Sequence, residues 1–322
     1  MTEMDTESKP ATVPEFGVET RPADAPAPPS LPAATGVGAV HLAVTDGPRA
    51  LAFYRDAVGL TPISVADDEI HMGVGSRDLV VLYPGASGPV VPNRTGLYHL
   101  ALVVPSRREL ARVIARLMTM RVPNSPTDHV MTKSDYLWDP DGNGIEIYAE
   151  SPEDGTMVMS GSSFGAIDKD GRPRSGRDPI DLEELFGELA PDDRLDAPLP
   201  EGTRMGHVHL HVRDVEEALR FYHDLIGFDI MGAILAMGAA FISAGGYHHH
   251  LGLNTWAGRG VPPAPPGTAG LRRYTIELPT AADLDQVVAR LRAGGVQVEE
   301  QPDGFHTEDP SRNAVQLKVR AG

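Results

Sequence analysis

Apolar residues alternate with polar ones in short runs, then shift to helical spacing, and this switch recurs along the chain. VHLAV (Val40 to Val44) reads as a half-buried strand, and Leu51, Phe53, Tyr54 and Val58 then supply the buried face of an amphipathic helix that leaves through Gly59. The same text returns as VHLHV (Val208 to Val212) followed by LRFYHDLIGF. His41 matches His209, Phe53 matches Phe221, Tyr54 matches Tyr222 and Gly59 matches Gly227, without a gap. A second unit, GLYHLALVVP with LARVIARL, returns as GLRRYTIELP with LDQVVARL. Pro105 matches Pro279, and Asp139-Pro140 matches Asp309-Pro310. The chain therefore carries four units of one strand, helix and strands design, an α+β class. One unit cannot bury its own sheet, so the expectation is that consecutive units pair around a shared concave space. That gives one domain over residues 36–150 and a second over 205–322.

Two polar stretches interrupt the pattern. Residues 1–35 are rich in Pro, Ala, Glu and Thr and read as a disordered leader. Residues 151–204 read as a linker, with a short amphipathic helix in DLEELFGEL. The chain has no cysteine, which excludes disulfide frameworks, thiolate catalysis and zinc-thiolate sites, so any metal must be held by His and carboxylate. A net charge of -17 argues against nucleic acid as a partner. Neither a secretion signal nor an apolar run long enough to cross a bilayer is present, so no membrane partner is expected and the expected location is the cytoplasm.

Candidate chemistry concentrates in residues 127–146, TDHVMTKSDYLWDPDGNGIE. His41, His99 and Glu146 each sit in a strand among apolar neighbours, so each projects from the face opposite them. Two imidazoles and one carboxylate facing one cavity form a facial triad for a divalent cation, with open positions for ligands. His129 and Tyr136 add two groups able to handle protons beside it. In the C-terminal half the counterparts of His99, Glu146 and Tyr136 are Arg273, Gln316 and His306, so that triad is broken. A separate cluster stands there instead. His207, His209 and His211 share one face of a strand, and His248, His249 and His250 are placed on another. These histidines could hold a second metal, or hydrogen-bond within a polar interface, or border a pocket.

The repeats resemble the vicinal oxygen chelate superfamily, whose βαβββ modules pair into cups with mixed, barrel-like curved sheets. Within it, His129, Tyr136, Asp139, Pro140, Gly142 and Glu146 resemble the extradiol ring-cleavage dioxygenase signature, with Asp135 standing where that family has an apolar residue. The resemblance implies a catechol 2,3-dioxygenase-like oxidoreductase of aromatic catabolism. Catechol or a substituted catechol would be opened with O2 at a mononuclear Fe(II), or Mn(II), held by His41, His99 and Glu146. It implies that Tyr136 hydrogen-bonds the bound substrate oxygen and that His129 assists proton transfer. Leu79 to Leu82 offer no fourth ligand of the kind glyoxalase-type relatives use, which favours a dioxygenase. The family's further acid-base histidine is not where expected, because Tyr83 stands there; His71 or a residue of the other half could substitute. A homo-oligomer follows by analogy. Two other readings stay open: a metal-free cup that sequesters a small molecule, indifferent to loss of Glu146, and an isomerase, lyase or thiol transferase using Zn, Ni or Mn.

Overall fold

A computed structural model describes residues 29–160 and 163–320. Four repeats appear as read, opening with the strands Gly36–Val44, Gly96–Val104, Arg204–His211 and Gly270–Leu278. They form two large mixed sheets of eight and nine strands. The pairing differs from the expectation of one domain per half. The opening strand of module 1 runs antiparallel to that of module 4, with His41 opposite Arg273. The opening strand of module 2 runs antiparallel to that of module 3, with His209 opposite His99. The two sheets are thus an outer pair, modules 1 and 4, and an inner pair, modules 2 and 3. Alternation records which face of a strand is buried and leaves its edge partner open, so sequence order was a poor guide to the pairing.

The matched residues hold the modules together. Each first helix of a half tightens into a π-helical turn, over Phe53–Val58 and Arg220–Ile226, and ends at a glycine with φ of 95° or 110°. Those freed carbonyls are capped by matching arginines: Arg116 donates to Ala57 and Val58, and Arg290 to Leu225 and Ile226. Tyr54 donates to Asp139 at 3.2 Å and Tyr222 to Asp309 at 3.0 Å. Asp139 also accepts the backbone N–H groups of Asp141 and Asn143, and Asp309 those of Ser311 and Asn313. The Asp-Pro part of the signature is therefore a turn that locks a helix of one module to the strands of the next.

The end of the supposed leader is anchored, since Leu31 is buried and its N–H bonds Gly227 at 2.9 Å; residues 1–28 lie outside the described ones. The linker does more than connect. Its strands Gly155–Ser160, Ser163–Asp168 and Pro173–Arg174 form a small sheet, and Asp178–Pro179 adds an edge strand to the inner sheet. The expected helix spans Leu182–Phe186, capped by Asp181, with Leu185 buried. No helix among the described residues is long and apolar enough to cross a membrane.

Asp135 is fully buried and neither carboxyl oxygen finds a hydrogen-bond partner. Burial, only partly offset by nearby backbone amides, pushes its pKa up to about 7. A carboxyl whose folded pKa is raised adds stability that is complete below its unfolded pKa and lost as pH climbs through the folded value. Asp135→Asn should therefore gain stability relative to the parent chain as pH rises from about 4 to 7, by at most about 4 kcal/mol, and hold that gain above. Denaturant titrations across that pH range check it; a gain that does not change with pH would contradict it.

Candidate metal centre

The inner seam sets the site. Across three adjacent strands, His207 lies opposite Ala101, and Ala101 lies beside Glu146. Side chains two apart on a strand share a face, so His99 stands next to Ala101 on that same surface. The small Ala101 forms the floor, and the three larger side chains lean together above it. His99 Nε2 and His207 Nε2 are 3.3 Å apart, and Glu146 Oε2 is 3.2 Å from the first and 3.1 Å from the second. The register that achieves this depends on a bulge between Met205 and His207. Gly206 occupies it, where a Cβ would stand 2.0 Å from the Tyr148 hydroxyl.

His99, Glu146 and His207 are the one group among the described residues whose donor atoms could share a cation. A near-equilateral triangle with edges of 3.1 to 3.3 Å lets one ion stand roughly 2 Å from every corner. Protonation states agree. Burial would raise the Glu146 pKa, but His207 and His99 hold the carboxyl well below its usual range. Burial lowers His207 despite Glu146, leaving a neutral imidazole. An ionised carboxylate and a neutral imidazole are the forms that ligate. The residues fit a divalent metal of the facial-triad kind.

Two of the three expected ligands are therefore brought together, and His41 is not. It belongs to the outer sheet, where its Nδ1 is 3.0 Å from the Tyr83 hydroxyl and Tyr83 donates to Glu69. Burial first and Arg273 second lower its pKa to about 3. The third donor of the triangle is His207. The repeat matched His41 to His209, and this donor lies two residues before that matched position; the alternating histidines of HVHLH were the available signal. His209 is also buried at the cup, edge-on to His99 with ring centres 5.0 Å apart.

The remaining candidates sort by contact. The His129 Nδ1 is 2.5 Å from the Gly176 carbonyl, which can only accept, so the hydrogen sits on Nδ1. Nε2 then accepts from the Tyr136 hydroxyl at 2.8 Å. Tyr136 lies directly across from Glu146, and burial, reinforced by that carboxylate, holds its pKa well above the usual value, so it stays a phenol. His248 and His249 precede the strand Leu251–Asn254 instead of lying in it. Their Nδ1 atoms are 2.8 Å apart, and the His249 ring centre is 4.1 Å from that of His207. Burial lowers His248 to about 3 and keeps His249 neutral as well. His250 is structural: its Nδ1 accepts from the Ala244 N–H and pairs with Ser243. The histidines thus do not make a second metal cluster among the described residues; His207 completes the first one. His71 is taken by Asp78 and Glu69, so the other half supplies the extra histidines at the site.

These groups face a cavity of about 370 Å³ walled by Tyr98, Trp138, Phe241 and Trp256. Its outer wall comes from the linker, through Met157, Phe164 and Arg177. The strand beside His209 presents Gly252 across from it, so no fourth donor enters there.

A model of the Glyoxalase/Bleomycin resistance protein/Dioxygenase superfamily matches residues 36–147 and 204–317. A catechol-2,3-dioxygenase of Bacillus subtilis (strain 168) is 40% identical over 283 residues, 87% of this chain and 95% of the relative. Biphenyl-2,3-diol 1,2-dioxygenase 2 of Rhodococcus globerulus is 28% identical over 134 residues, 40% of this chain and 65% of the relative. Among solved structures, glyoxalase I from Zea mays superposes with a TM-score of 0.54 at 15% identity, over 88% of this chain and 92% of its own.

Metal content separates the two histidine sets. After anaerobic loading with Fe(II) and desalting, the parent protein should hold one equivalent per chain. His207→Ala and Glu146→Ala should lower retained metal by at least tenfold, while His41→Ala keeps it. Elemental analysis checks this; loss of metal in His41→Ala with retention in His207→Ala would contradict it.

Proposed function

Because the chain belongs to the Glyoxalase/Bleomycin resistance protein/Dioxygenase superfamily, we propose that its inner cup is the active site of an extradiol dioxygenase that opens a catechol beside its vicinal hydroxyls with O2. The observation that carries this is the triangle of His99, His207 and Glu146, with no fourth donor among the described residues, at the base of an aromatic-walled cavity. Three protein donors would leave a divalent ion open positions for a chelating diol and O2. Fe(II) held there would supply Lewis acidity toward the diol oxygens and a redox path to O2; Mn(II) accepts the same donors.

The protein's own part is positioning and proton handling. Tyr98, Trp138, Phe241 and Trp256 flank the cavity and confine a planar ring. The Tyr136 phenol, buried and tied to His129, keeps its oxygen available to a substrate hydroxyl and its own proton in place. Neutral His248 and His249 face the cup, and because one Nδ1 donates to the other, the donor of the pair keeps its Nε2 free to take a proton from a diol hydroxyl and return it to the product. His248 Nε2 has no hydrogen-bond partner among the described residues, as an acceptor awaiting a substrate would not. His129 fixes Tyr136 from behind and spends its other nitrogen on Gly176, so it acts as a positioning residue.

The test is direct. Iron-loaded protein mixed with catechol and air should form the yellow ring-opened semialdehyde, and chelation of the metal should stop it. His248→Gln and Tyr136→Phe should each lower kcat by about 10²-fold while metal content stays at one per chain. Absence of product from catechol and several alkylcatechols by iron-loaded protein would overturn the reading.

A further inference from the structure

The linker contributes a charge to a cavity otherwise short of them. Of the residues that line it, Glu146 and Arg177 alone carry charged side chains, and Glu146 is committed to the metal triangle. Arg177 forms no ion pair among the described residues, although the chain as a whole is strongly acidic at -17. Its guanidinium carbon stands 5.2 Å from the centre of the Phe164 ring, which lines the same cavity. That contact fixes the head group against the wall and leaves its N–H edges free. The charge reaches across the cavity as well: burial raises the Tyr98 pKa, and Arg177 is the foremost group opposing that rise.

The loop that carries Arg177 is tied to the reaction machinery. Gly176, in a left-handed conformation with φ of 69°, is buried and gives its carbonyl to His129, which holds Tyr136. A Cβ on Gly176 would come 3.3 Å from Phe164, so the turn is close-packed. On the other side Asp178–Pro179 pairs with Thr127 and Asp128 of module 2. Arg177 is thus held between two anchors at the cavity mouth, preorganised toward whatever part of a bound ring points away from the metal.

We infer that Arg177 reads an anionic substituent, a carboxylate, on the ring of the diol, so that the preferred substrates are catechols carrying a negative charge on the side opposite their hydroxyls. This rests on the reading of the cup as a catechol site. A planar guanidinium offers the paired donors that a carboxylate accepts, and although Arg177 is solvent-exposed, such a charge-assisted bidentate contact is worth about tenfold in affinity. Specificity of this kind needs no further contact with the metal, because the substituent end and the diol end of the ring are separated by the ring itself.

Protocatechuate and 4-methylcatechol form the test pair, since they differ by a carboxylate against a methyl group. The quantity read is the ratio of their kcat/KM values, and separately the ratio of their dissociation constants for the anaerobic iron-loaded protein, followed by quenching of Trp138 and Trp256. In the parent protein both ratios should favour protocatechuate. Arg177→Gln should cut both by about tenfold or more, and Arg177→Lys should restore part of the loss. Ratios that do not respond to Arg177→Gln, or that favour 4-methylcatechol in the parent protein, would overturn the inference. Turnover of 4-methylcatechol itself tests the dioxygenase reading, and the binding ratio tests Arg177 even where turnover is absent.

Discussion

The antiparallel seam between Gly96–Val104 and Arg204–His211 is the constraint from which the site follows. It brings strands separated by about a hundred residues into direct register, so that a histidine of one half of the chain meets a histidine and a glutamate of the other. Neither half could close the triangle alone. The seam is built from backbone hydrogen bonds and a continuous apolar face, with Leu100, Leu102, Val208 and Leu210 all fully buried on the side away from the cup. A shift of one residue would turn that face outward and the histidines inward, so burial of those side chains also fixes the metal ligands.

The outer sheet shows the same geometry with its chemistry removed. His41 lies opposite Arg273 as His209 lies opposite His99. Ala39 stands two residues before His41, where the inner sheet has His207, and Gln316 stands where it has Glu146. Arg273, His306 and Gln316 gather on Asp303 instead, at 3.4, 2.8 and 2.7 Å. A guanidinium thus stands where the inner sheet has the imidazole of His99. The division of labour runs between inner and outer modules, not between leading and trailing halves.

Much of this was legible in the sequence. Period-two and helical spacing located all four modules, the gapless repeat fixed their equivalence, and the His129 to Glu146 spacing identified one wall of the cup. His99 and Glu146 were readable because their neighbours on the same strands are apolar, whereas Tyr136 and His129 were readable only through the spacing of the signature. His41 was misread for a physical reason: alternation says which way a side chain points, and it points into a cup, but which cup depends on strand pairing over long sequence separations. The same ambiguity hid His207 among alternating histidines that a single-strand reading treats alike. Arg177 carried no signal, since a polar loop residue acquires a role only once the linker is seen to fold over the cavity.

The linker then reads as part of the enzyme. Its small sheet, its edge strand and the Gly176 contact to His129 form one side of the cavity. The position of the metal remains the point on which all of this turns. Anomalous diffraction at the iron edge from iron-loaded crystals measures it most directly. The account predicts one strong peak within bonding distance of His99 Nε2, His207 Nε2 and Glu146 Oε2, and a peak beside His41 in the outer sheet would contradict it.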